Sequence, residues 1–194
     1  MNRDFDIDLD FANRDQALKL IDHVPAMMLQ DGQRVKHNTG VYVNPMPSDP
    51  LTGLATIDYK LAEELGYVKL DLLNNSVYTL VNSPQHLDQL LEQQPDWNRL
   101  SDRSFVEQVV HINGHWDLLQ QMPEPINSIG RMAMFLAVIR PAKRQLAGKK
   151  WAEVAQTVWQ RPSDDSYFFK KAHAVSYAHL VAVHMNLLEE KLNS

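Results

Sequence analysis

Residues 4–11 read DFDIDLDF, with Asp4, Asp6, Asp8 and Asp10 alternating with Phe5, Ile7, Leu9 and Phe11. A period of two is the signature of a β-strand, and here it gives one acidic and one apolar face. Side chains two apart on a strand point the same way, roughly 6.5 to 7 Å from each other, so neighbouring aspartates can offer carboxylates to one cation. The pattern cannot be an EF-hand loop. Counting from Asp6, the sixth position is Phe11 where glycine is needed, and the twelfth is Ala17 where glutamate is needed.

Further along, Asn13 and Gln16 form a capping pair that predicts a helix ended or kinked by Pro25. Val41–Val43 is a short β-rich run between Gly40 and Asn44, and the three prolines of residues 44–53 predict a loop. Helical spacing runs from Asp58 to Leu65 with Gly66 as its stop, and YVKLDLL then predicts a strand with Lys69 and Asp71 on one face. Beyond Ser76, apolar residues recur at three and four spacing through 77–91, 105–119, 129–139 and 151–159, with a last helix from about Ser166 to Leu192. The expectation is therefore an α+β fold. A small mixed sheet over residues 1–75 precedes a larger helical part over 76–194, in one compact unit.

Composition narrows the chemistry. The chain has no cysteine, so a metal site would be built from oxygen and imidazole ligands, and a reducing compartment such as the cytoplasm is expected. The longest apolar run, Met132 to Ile139, is too short for a membrane span, and the acidic N-terminus has no signal-peptide character. The net charge of −5 opposes nucleic-acid binding in sum. Its distribution does not, because residues 140–150, RPAKRQLAGKK, hold five basic residues and no acid. Arg140, Lys143 and Arg144 next to Pro141 suit either a phosphate or a helix dipole. His111, His115, His179 and His184 have no metal-ligand logic and are read as structural; His111 and His115 share helical spacing, but Ile112 follows His111 where the HExxH pattern has glutamate.

Several segments, in order, resemble the polymerase core of the C-family replicative DNA polymerases, the family of the bacterial DNA polymerase III alpha subunit. DFDIDLDF with RDQAL resembles the palm strand bearing two catalytic aspartates and the helix after it. VKHNTGVYV resembles the family's lysine-histidine-glycine stretch, and YVKLDLL the strand with the third catalytic aspartate, here Asp71. FLAVIRPA resembles an arginine-proline segment, and FFKKAHAVSYA the fingers motif whose lysine and histidine approach the incoming triphosphate.

The resemblance implies a polymerase beta-like nucleotidyltransferase palm followed by a fingers-like helical part, in a bacterial cell or a phage-infected host. It makes Asp6, Asp8 and Asp71 catalytic, holding Mg²⁺ or Mn²⁺. A gapless match through Arg14 instead selects Asp4 and Asp6 as the metal pair, so Asp6 belongs to either choice. Lys69, Arg140, Lys171, His173, Lys36 and His37 are the implied substrate contacts, and DNA and a deoxynucleoside triphosphate the implied partners, with no membrane. A glycine-serine motif that helps hold the triphosphate in the family has no counterpart in the three residues before Asp4. A replication protein or a second copy of the chain is expected to complete the phosphate site. The alternative is a catalytically inactive, polymerase-derived protein that binds DNA, a nucleotide or a replication partner.

Overall fold

The computed structural model describes residues 7–163 and 168–193. Among them the chain is α+β, with four strands in one mixed sheet and eight α-helices. No helix of the described residues is long and apolar enough to cross a membrane. Two compact units divide the chain, Met1–Thr79 and Leu80–Ser194.

The first unit contains β1 (Ile7–Phe11), α1 (Arg14–Leu18), β2 (Val24–Gln30), β3 (Gln33–Tyr42), α2 (Tyr59–Glu64) and β4 (Leu70–Asn74). Its strands lie in the order β1-β4-β3-β2; β1 runs parallel to β4, and the other neighbours are antiparallel. Asn13 caps α1, its side chain accepting the Gln16 N–H at 3.0 Å, as the capping pair requires. The helix then ends at Leu18, and Pro25 stands inside a strand instead of ending a helix. A proline is tolerated there because β2 is an edge strand and Pro25 sits at an irregularity of its ladder.

The turn between β2 and β3 is Asp31-Gly32, both at positive φ (51° and 77°), a two-residue connection between Gln30 and Gln33. That hairpin makes β3 ten residues long where a short run at 41–43 was expected. Asp58 caps α2 through the Lys60 N–H and also accepts the Leu29 N–H of β2, each at 3.0 Å, so one side chain fixes the helix start against the sheet. Ala26, Met27, Tyr42, Met46, Ala55 and Ala62 form the small core between them.

The second unit is helical: α3 (Pro84–Glu92), α4 (Arg103–Val106), α5 (Trp116–Gln120), α6 (Ile129–Val138), α7 (Trp151–Thr157) and α8 (Lys171–Leu192). The continuous helical pattern of 77–91 is broken into a 3₁₀ turn at Ser76–Leu80 and α3, because Pro84 occupies the first turn and Ser83 caps it. That of 105–119 is interrupted at His111, whose φ of 66° is left-handed, and at Gly114. His111 and His115 therefore do not share a helix. The expected helix start at Ser166 lies outside the described residues.

Almost every side chain of α6 from Met132 to Val138 is buried, and α6 packs on α8, where Ala174 and Ala178 present small surfaces four residues apart. Asn186 of α8, 1% exposed, donates to the carbonyls of Leu90 and Gln93, both at 3.0 Å, and so satisfies the end of α3. Asn186→Leu would leave both carbonyls without that donor. It is expected to cost about 1–2 kcal/mol, read as a lower urea midpoint with unchanged helix content.

Candidate active site

β1 and β4 pair so that Asp8 lies opposite Asp71. Register partners on parallel neighbours project to the same face about 4.8 Å apart along the hydrogen-bonding direction, so two carboxylates from segments remote in sequence converge. Asp8 is exposed and Asp71 is buried. Asp10 shares their face of the sheet. Burial and the charge of Asp8 push its carboxyl above the usual carboxylate range, against a hydrogen bond from Asn75 that lowers it. Asp4 and Asp6 lie outside the described residues.

Asp71 is tied on both oxygens. Lys69, two residues earlier and on the same face, forms an ion pair with Oδ2, and Thr39 donates its hydroxyl to Oδ1 at 2.7 Å. Gly40 stands opposite Asp71 on β3. A Cβ at that position would lie 2.7 Å from Lys69 Cδ and 3.0 Å from His37 Nδ1, so only glycine lets the lysine stem pass to Asp71.

His37 holds the backbone beside Asp71. Its Nδ1 accepts the N–H groups of Gly40 at 2.9 Å and Thr39 at 3.3 Å, so this nitrogen carries no proton. Its 3.8 Å approach to Asp71 Oδ1 is therefore a contact between two acceptors, not an ion pair. The ring edge meets Tyr59 at 5.1 Å. Lys36 is exposed at the β3 position paired with Met27.

Two residues that sequence reasoning passed over belong to this site. Arg14 donates its guanidinium to the carbonyls of Asn38 and Thr39 and holds the segment before Gly40. Tyr42 is 1% exposed, its hydroxyl has no partner among the described residues, and burial with the charges of Asp58, Asp71 and Glu63 pushes it up to about 12. A hydroxyl so held stays protonated, and towards a carboxylate it acts as a donor. No local sequence signal announces either role; the Asp31-Gly32 turn fixes only the length of β3.

No protein-family model matches the chain, and neither curated proteins nor solved structures include a significant match.

In the helical unit the Arg140 guanidinium lies over the Phe169 ring at 4.8 Å, and its buried Nε has no hydrogen-bond partner among the described residues. His173 stacks on the same ring, with 6.3 Å between centroids and 13° between planes. Lys171 is exposed in the first turn of α8, where a cation opposes the helix dipole. Lys143 and Arg144 are committed to carbonyls instead, Lys143 Nζ to Thr157 at 2.8 Å and Arg144 Nη2 to Ile139 at 2.6 Å.

Among the described residues no three His, Asp or Glu side chains converge as a metal group. The described part sets two carboxylates, Asp8 and Asp71, in register on neighbouring strands, and in sequence Asp6 precedes Asp8 by two positions. Carboxylate oxygens are the hard donors that Mg²⁺ and Mn²⁺ prefer.

Proposed function

We propose that this chain is a reduced, polymerase-like nucleotidyltransferase that acts on DNA and a deoxynucleoside triphosphate through a palm-like acidic site. The observation that carries the reading is the register of β1 and β4, which sets Asp8 opposite Asp71. In this reading Asp8 and Asp71, with Asp6, hold Mg²⁺ or Mn²⁺, whose part is to lower the pKa of an attacking hydroxyl and to neutralise the departing pyrophosphate. Lys69 forms an ion pair with Asp71 and offsets part of its charge in a largely buried position. In this reading Arg140, Lys171 and His173 are the phosphate contacts that the helical unit would supply, supported by the unpartnered Arg140 Nε and by the basic run that follows it. The site would work inside the cell, alone or with a replication partner.

The test is incorporation of labelled nucleotides on a primed template with Mg²⁺ or Mn²⁺, comparing the natural protein with Asp71→Asn. Incorporation should be lost in the variant; incorporation that survives it overturns the reading. A second reading, a non-catalytic derivative that binds DNA, a nucleotide or a replication protein, is favoured by the fact that Asp71 is already satisfied by Lys69 and Thr39. It predicts no incorporation by either protein.

A further inference from the structure

The two oxygens of Asp71 are held by donors from different strands, Oδ1 by Thr39 of β3 and Oδ2 by Lys69 just before β4. A carboxylate with a single partner turns easily about its last torsion, which is broad and roughly two-fold. Two donors, one on each oxygen, remove that freedom. Its orientation is thus set by wherever the backbone places Thr39.

That backbone is irregular by construction. Between the pairs Pro25/Val41 and Met27/Lys36, β3 advances five residues while β2 advances two, so β3 carries an excess of three over residues 37–40. A bulge of this kind turns a side chain away from the direction the regular pleat would give it. The loop is then tied at four points. Arg14 donates to the carbonyls of Asn38 and Thr39, and His37 Nδ1 accepts the N–H groups of Thr39 and Gly40. Gly40 leaves the space through which Lys69 reaches the other oxygen.

We propose that the His37–Gly40 bulge is a positioning device for Asp71, and that Thr39 is the positioning residue through which it acts. His37 then serves Asp71 indirectly, as the acceptor that fixes the Thr39 backbone, and Arg14 serves as the clamp on the opposite side. The geometry stands on the hydrogen bonds alone; its purpose, presenting an oriented carboxylate to a divalent cation, rests on the function proposed above. Residues that orient a metal ligand in this way typically govern ten- to hundred-fold in metal affinity.

The experiment uses the full chain with carboxyl-¹³C aspartate, as the natural protein, as Thr39→Val, which keeps the shape and removes the hydroxyl, and as Thr39→Ser, which restores it. The Asp71 carboxyl resonance, assigned with Asp71→Asn, should move in Thr39→Val and return in Thr39→Ser. Mn²⁺ alone, followed by electron paramagnetic resonance, should bind about tenfold more weakly to Thr39→Val and regain its affinity in Thr39→Ser. An Asp71 resonance unmoved in Thr39→Val overturns the proposal, as does an affinity that falls equally in both variants. If the resonance moves and returns but the natural protein binds no Mn²⁺, the positioning role stands and the metal-dependent reading of the site fails.

Discussion

Lys69→Met, with Asp71 retained, is expected to destabilise the sheet unit by about 3–5 kcal/mol, seen as a large fall in the urea midpoint of the transition that reports β-structure. The two side chains are only 14% and 12% exposed, so the pair is largely withdrawn from water. Removing the ammonium leaves a buried carboxylate supported by the Thr39 hydroxyl and facing Asp8 across the strand pair. The cost is that of an uncompensated buried charge, which exceeds what the intact pair contributes. Lys69→Met combined with Asp71→Leu replaces both ions by apolar volume and should recover most of the loss. A double variant as unstable as the single one would show that packing around the lysine stem, and not charge, dominates there.

Acid should weaken the helical unit by a separate route. His111 is pushed down to about 4 from an ordinary 6.5 by burial, then by Arg140 and His184. Its ring meets Tyr177 edge-on at 4.4 Å, and its buried Nε2 has no hydrogen-bond partner among the described residues. Burial also lowers His184, whose Nδ1 accepts the Val110 N–H at 3.0 Å, while burial with Arg144 and Arg140 lowers His115 against a smaller opposing effect of Glu107. For a group depressed on folding, the unfolded chain takes up protons first. Stability is therefore flat above about pH 6.5 and falls as pH drops from there to about 4, where folded His111 also becomes charged. After allowance for partial solvent screening, His111 alone should account for about 2–3 kcal/mol of that fall. Urea unfolding at a series of pH values should show a shallower slope in His111→Phe, which keeps an aromatic ring against Tyr177. Because His111 sits at a φ of 66°, which a bulky side chain adopts at a cost independent of pH, the slopes decide the matter and not the absolute stabilities. An unchanged slope would assign the acid sensitivity elsewhere.

The parts of the fold that were legible in the sequence are those set by neighbours in the chain. The alternation of Ile7–Phe11 gives a strand, Asp58 and Gly66 bracket α2, and Lys69 and Asp71 share a face as residues two apart on an extended chain must. Where a local signal competes with a distant one, the local reading gave way. Pro25 reads as a helix stop, yet an edge strand needs no donor at that point; the three- and four-residue spacing of 105–119 continues through a place where the backbone turns left-handed. Of the candidate site, the acids could be named from their pattern, but their partners could not. Thr39 reaches Asp71 only because β3 carries extra residues opposite β2, and the register of two strands is a property of their pairing, invisible in either strand alone. Arg14 follows Asn13 in an ordinary helix start, and nothing near it in sequence announces that its guanidinium will hold Asn38 and Thr39.

The parallel pairing of β1 with β4 has a consequence for how such a chain can vary over generations. Asp8 and Asp71 come from strands separated by the whole hairpin, the proline-rich loop and α2, and what holds them opposite one another is the ladder, not the path between. The entropy of closing a long excursion grows only with the logarithm of its length, about 0.6 kcal/mol for each doubling. Insertions at the exposed tip of that loop, residues 50–53, can therefore accumulate at little thermodynamic cost while the two acids keep their spacing, because Met46 and Ala55 on either side stay in the small core. A lineage could enlarge that tip, and its kinship would then survive in the strand pair long after the overall length had ceased to record it.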